Sequence, residues 1–132
     1  MEHEVWSVEN QIKAFRDLNA WKLGHESVLG IYRLAKTFPS FEQFGLGSQM
    51  RRAAVSVTSN IAEGFNRSSL KEKAQFYSMS LGSVAELQAQ LLIAVDLGYC
   101  SDASFRELMA KLETVHRLLN GLIKSTKLRM EA

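Results

Sequence analysis

Apolar side chains along the chain recur at three- and four-residue intervals, in four blocks separated by short polar or glycine-bearing breaks. The first block is Leu18, Trp21, His25, Val28, Leu29, Tyr32, Ala35 and Lys36, apolar except at His25 and Lys36. With Asp17 as an N-cap and Pro39 disfavouring helical geometry at Phe38, it predicts a helix over about 17–38. The second helix is expected over about 46–63, with Met50, Ala53, Ala54, Val57, Ile61 and then Phe65 on its apolar face and Gly64 as its stop. A capping box, Ser69 to Glu72, opens a third helix over about 69–97, whose stripe is Tyr77, Leu81, Val84, Gln88, Leu91 and Val95 and whose stop is Gly98. A second such box, Ser104 to Glu107, opens a fourth helix over about 103–127. Its stripe of Phe105, Leu108, Leu112, Val115, Leu119, Leu122 and Thr126 is the most regular in the chain.

Four amphipathic helices with short connectors predict an all-α fold, an up-down-up-down antiparallel four-helix bundle over 16–128, behind an N-terminal tail of weak periodicity at 1–15. The one alternating run, Val55 to Thr58, falls inside the second helix, so no strand competes. Phe38, Phe41 and Phe44 are expected to plug the end of the bundle, and Trp21, Tyr32 and Tyr77 to lie in the core.

At 132 residues, with 46% hydrophobic and 23% charged side chains, the chain suits one folded domain rather than a disordered segment. The single cysteine, Cys100, excludes an intrachain disulfide and a thiolate metal cluster, which makes a reducing, cytoplasmic location the expectation. The first residues are polar and acidic, unlike a secretory leader. No stretch reaches the ~18 uninterrupted apolar residues of a membrane span, so no membrane partner is expected. Net charge is +2 and the isoelectric point about 8.8, short of a dedicated DNA-binding module. Five copies of a +2 chain, however, carry +10.

The second helix carries a polar stripe beside its apolar face: Arg52, Ser56, Ser59, Asn60 and Glu63. Arg51 points elsewhere. The third helix answers with small residues, Ser78, Ser80, Gly82 and Ser83, followed by Glu86 and Gln90. A mid-helix glycine costs ~1 kcal/mol against alanine. A close approach of the two helices through Ala53, Ala54, Gly82 and Ser83 is the expected compensation. Glu86 near such an interface calls for a cation, and Arg52, alone or in a network with Asn60 and Glu63, is the expected partner. Three readings of the stripe stand open: a solvated face or polar network within the chain, an oligomer interface, or a ligand or nucleic-acid site.

The segments Phe15–Trp21, Ser48–Arg67 and Gly82–Leu87 resemble the four-helix-bundle family first noticed as reading frames within intervening sequences of bacterial 23S ribosomal RNA genes. The run S-N-I-A-E-G-F-x-R is the most specific part, and the resemblance spans about residues 14–125. Thr58 stands where that family usually has proline, so a kink is expected to be weaker here. The resemblance implies a bundle that assembles as a ring-shaped homopentamer. It also implies kinship with the accessory protein of diversity-generating retroelements, a basic pentamer that binds a reverse transcriptase and nucleic acid. Its motif falls on Arg51, Arg52, Ser59, Asn60, Glu63, Gly64, Arg67, Gly82, Ser83 and Glu86.

The function expected is a non-catalytic homo-oligomer that binds RNA or a nucleic-acid-processing protein through a basic surface. Arg51, Arg67, Lys71 and Lys73, joined by Lys124 and Lys127 on the fourth helix, are its candidate contacts, and Arg52, Ser59, Asn60, Glu63, Gly82, Ser83 and Glu86 its structural or interface network. Aromatic residues are not interleaved among the cations, which argues against sequence-specific reading. The alternative is a protein-interaction scaffold. An enzyme is not expected. A di-metal carboxylate bundle needs two Glu-x-x-His motifs and the chain has one, Glu113 to His116; no nucleophile–base pair, phosphate loop or zinc spacing appears, so no catalytic residue, cofactor or metal is assigned.

Overall fold

The computed structural model describes residues 12–132, so most of the expected tail, with His3, lies outside the described residues. Four helices follow: α1 (Asn19–Lys36), α2 (Leu46–Asn66), α3 (Leu70–Asp96) and α4 (Asp102–Glu131), with short 3-10 turns at Phe15–Asp17 and Ser40–Glu42 and no strand among the described residues. Each helix packs on its neighbours in sequence, and α1 also packs on α4, leaving one shared core. Ile31, Met50, Val57, Ile61, Val84, Leu87, Leu91, Leu112, Val115 and Leu119 are its largest fully buried members.

The ends of the helices show which expected signals act. Ser69 caps α3, its Oγ accepting from the Glu72 amide at 3.2 Å. Gly98, at φ +78°, turns the chain left-handed after α3, and the Tyr99 amide reaches back to the Ala94 carbonyl at 2.9 Å. Three expectations are corrected. Asp17 does not cap α1; its carboxylate accepts from the Lys13 and Ala14 amides and closes the preceding turn instead. The cap of α4 is Ser101, whose Oγ accepts from the Ser104 amide, one turn before the box that sequence spacing favoured. Gly64 does not end α2, which continues to Asn66 and passes through Thr58 unbroken.

The side-chain floor of α1 is also shifted from the expected stripe. Its buried residues are Ala20, Gly24, Ser27, Ile31 and Ala35, whereas His25, Leu29 and Tyr32 are exposed and Trp21 and Val28 half-buried. The reason is spacing. A Cβ on Gly24 would lie 3.2 Å from Thr58 Cγ2, so small side chains are what let α1 settle against α2. The large residues that drew the sequence reading flank this seam, and Trp21 stacks on His25 with ring centroids 4.8 Å apart.

The α2–α3 seam is built likewise. Gly64 is buried under the Tyr77 ring, and a Cβ there would stand 2.8 Å from Tyr77 Cε1. Ser80 is fully buried and donates to the Val57 carbonyl at 2.7 Å; Ser83 donates to Ser56 Oγ at 2.9 Å. Gly82, expected in this seam, is exposed with nothing within 4 Å of its Cβ position.

Gly64→Ala is expected to destabilise the fold by about 1–3 kcal/mol, because overpacking against a buried ring outweighs the helix-propensity gain. Gly121, mid-α4 with open space around it, is the contrast: Gly121→Ala gains up to ~1 kcal/mol. Urea unfolding of the two variants beside the parent measures both, and a stabilised Gly64→Ala contradicts the seam described.

Candidate functional site

The cations expected to form a site divide between the two ends of α2. At the C-terminal end, the first turn of α3 brings Lys71 and Lys73 beside the last turns of α4, some fifty residues on in sequence. Two concavities with no lining residue in common record the meeting. One, of about 450 Å³, is lined by Lys73 and Arg129 with Tyr77, Ser125 and Thr126 over the apolar floor of Ile12, Leu18, Phe65 and Leu122. The other, of about 560 Å³, lies between Lys71, Gln75 and Ser78 of α3 and Lys127, Met130 and Glu131 of α4. Lys124 shares a third, shallower concavity with Arg129.

Several of these charges also hold the fold. The Lys73 ammonium donates to the carbonyls of Phe65 and Gly64, capping the C-terminus of α2 where the helix dipole favours a cation. Burial, and then the positive charge of Arg129, holds the Lys73 pKa below the ordinary lysine value. Among the described residues no carboxylate lines the Lys73–Arg129 concavity. Arg67 lies over the Phe76 ring, 4.7 Å from its centroid, and bonds to Glu63 Oε2 at 3.0 Å, a half-exposed pair of small worth to stability. Its Nε is buried without a partner among the described residues.

Arg51 sits elsewhere and does a different job. Near the N-terminus of α2 its guanidinium donates to the Gln43 carbonyl at 2.8 Å and to Gln43 Oε1 at 3.4 Å. Gln43 in turn donates to the Ala35 and Phe38 carbonyls, closing the end of α1. The connector is further tied by Tyr99, whose hydroxyl donates to Glu42 at 3.0 Å and whose ring packs on Phe38. That pairing fills the end of the bundle, so of the three connector phenylalanines only Phe38 is buried; Phe41 is 74% and Phe44 97% exposed.

The polar stripe resolves into separate contacts rather than one network. Asn60 donates to Ser56 Oγ and to its carbonyl, and Ser56 accepts from Ser83. The expected Arg52–Glu86 ion pair does not form within the chain: both side chains are exposed, and Glu86 accepts instead from Gln90 at 3.2 Å. Ser59 and Glu63 face outward. The compensation foreseen for Gly82 is therefore absent inside the monomer. Of the Glu113–His116 motif, Glu113 is exposed and His116 Nδ1 is 3.2 Å from Asn120. Among the described residues no three His, Cys, Asp or Glu side chains gather as metal ligands. Cys100 is a buried free thiol, its pKa raised by burial and by the Asp102 charge, unlike an activated nucleophile.

Arg129 was among the cations read near the end of the fourth helix, but past that helix's expected end and outside the candidate contacts. Two participants escaped sequence reasoning. Gln43 carries no motif and acts only through the three partners the fold brings to it. Ser56 was on the stripe, but nothing in its spacing marked it as the junction between helices.

The family model described as 23S rRNA-intervening sequence protein matches residues 16–121. Among solved structures, a protein of unknown function of the S23 ribosomal protein family from Bacteroides thetaiotaomicron is similar, with a TM-score of 0.74 at 19% identity over 80% of this chain and 95% of that one. At that identity the likeness concerns the fold. No curated protein matches.

The two ends of α2 are separable by substitution. Arg51→Ala is expected to cost about 1–3 kcal/mol of stability, since it strips donors from a half-buried connector. Lys71→Ala and Lys127→Ala, on exposed positions, should stay within ~0.5 kcal/mol of the parent. Thermal unfolding compares them, and an Arg51→Ala protein as stable as the parent contradicts a structural role for that arginine.

Proposed function

The chain belongs to the 23S rRNA-intervening sequence protein family, and from that premise we propose that it is a non-catalytic, homo-oligomeric bundle that binds RNA through its basic end. Consecutive helices packed side by side, with α1 against α4 and short connectors, support an up-down-up-down antiparallel order. The observation that carries the functional reading is the meeting of Lys71 and Lys73 of α3 with Lys127 and Arg129 of α4 around two clefts, with Glu131 the one carboxylate among the described residues that line them. Phosphate recognition needs cations clustered on a concave surface, and a ring of copies repeats the cluster at fixed intervals.

The mode of binding follows from what surrounds the cations. Phe65 and Phe76 already lie under Lys73 and Arg67, so neither ring is offered to a base. The recognition is therefore of the phosphate backbone, tolerant of sequence and strongly salt-dependent. A cytoplasmic location and a ribonucleoprotein partner belong to the same reading; the buried, unpaired thiol of Cys100 fits a reducing compartment.

The test is RNA binding by the purified protein across a salt series, after its mass has been measured by light scattering. Affinity should fall steeply with salt, and Lys71→Glu with Lys127→Glu should flatten the log–log slope by ~0.7 for each phosphate no longer neutralised. A native protein indifferent to single- and double-stranded RNA at low salt overturns the proposal and leaves the alternative of a protein-interaction scaffold.

A further inference from the structure

The outward surface of α3 is unlike a solvent face. Between Met79 and Ile93 its exposed positions are Met79, Gly82, Ala85, Ala89, Leu92 and Ile93, with Glu86 the only charge among them. Met79, Leu92 and Ile93 are each about half-exposed. The helix is apolar nearly all the way round: it contains a stretch long and apolar enough to cross a membrane, of which only 33% is buried. A helix of that kind is ordinarily enclosed. Gly82 sharpens the point, because nothing among the described residues lies within 4 Å of its Cβ position and its cost to the helix has no compensation there. An approaching helix would use the space its missing side chain leaves. Gln90, at 6% exposure, has a buried Oε1 with no donor while its Nε2 holds Glu86 at the edge of this face.

A second apolar patch lies on α1 and α2. Leu29, Tyr32 and Val55 are 39–46% exposed, and Tyr32 and Val55 share a shallow concavity with Arg51 and Arg52. Arg51 is committed to Gln43; Arg52 is exposed and has no ion-pair partner among the described residues. The two patches are opposite in charge. The exposed charges of α3 from Met79 onward are Glu86 and Asp96, both acidic, whereas the α1–α2 patch is bordered by arginines.

We propose that the α3 face of one copy packs on the α1–α2 patch of the next, Glu86 meeting Arg52 across the joint. The proposal rests on the homo-oligomeric reading above and names its surfaces. Unlike patches make a head-to-tail contact, which closes into a ring when the rotation between copies allows. The Arg52–Glu86 pair that sequence spacing suggested is then made between chains rather than within one.

Light scattering of the full chain and its variants tests this. Gly82→Leu, Glu86→Arg and Arg52→Glu should each keep the parent's helical circular dichroism and fall to the 14.8 kDa mass of one chain. Gly121→Leu is the control and should leave the mass unchanged. An equimolar mixture of Gly82→Leu and Arg52→Glu proteins retains one good pair of faces and should stop at two chains, while the Glu86→Arg, Arg52→Glu double variant should regain the parent mass. A parent of several copies whose mass survives both Gly82→Leu and Glu86→Arg shows the wrong surface was chosen, with assembly itself intact. Growth of the mixture beyond two chains refutes the head-to-tail contact. A single-copy parent refutes assembly and this contact together, and leaves RNA binding to its own test.

Discussion

The closeness of α2 to its two neighbours is the constraint from which the rest of the molecule follows. Gly24 lets α1 approach Thr58, Gly64 accepts the Tyr77 ring, and Ser80 and Ser83 hydrogen-bond across to α2 without holding the helices apart. Larger side chains would widen these seams and leave the Ser80 hydroxyl buried without its acceptor, a penalty of about 1–3 kcal/mol at a single group. Because the seams are narrow, the helix ends are brought close as well, and polar side chains from one helix can close the backbone of another. Lys73 does so for α2 and Gln43 for α1.

That division of labour sorts the cations by role. Arg51 is consumed by the connector at one end of the bundle, where Tyr99, Glu42 and Gln43 complete a polar lock. At the other end the first turn of α3 meets the last turns of α4, bringing Lys71 and Lys73 towards Lys127 and Arg129. The pKa of Lys73 is lowered by burial and then by the charge of Arg129, and no carboxylate among the described residues lines that cleft. The basic end and the apolar α3 face are thus two unmet demands of one fold, one electrostatic and one of shape.

Much of this was legible in the amino-acid order. The four helices, the Ser69 cap, the Gly98 stop and the core stripe of α4 follow from periodicity and turn chemistry, each a local signal. What failed was the inference from size to burial. In α1 the bulky residues Trp21, Val28, Leu29 and Tyr32 are not buried while Ala20, Gly24 and Ser27 are, because inter-helix distance is a property of two helices and is not written in either alone. The same blindness placed Gly82 inside and took Gly64 for a stop, although the first is exposed and the second buried. Of the candidate site, Lys71, Lys73, Lys124 and Lys127 were marked by charge, but Arg129 joined them only through the extra turns of α4.

The most direct measurement is amide hydrogen exchange on the purified protein with and without a short single-stranded RNA at low salt. Slowed exchange confined to the α2–α3 turn and the last turns of α4 is what the account predicts, with the segment around Arg51 unchanged. Protection centred on the N-terminal half of α2, or none at saturating RNA, would contradict the assignment of the basic end as the binding surface.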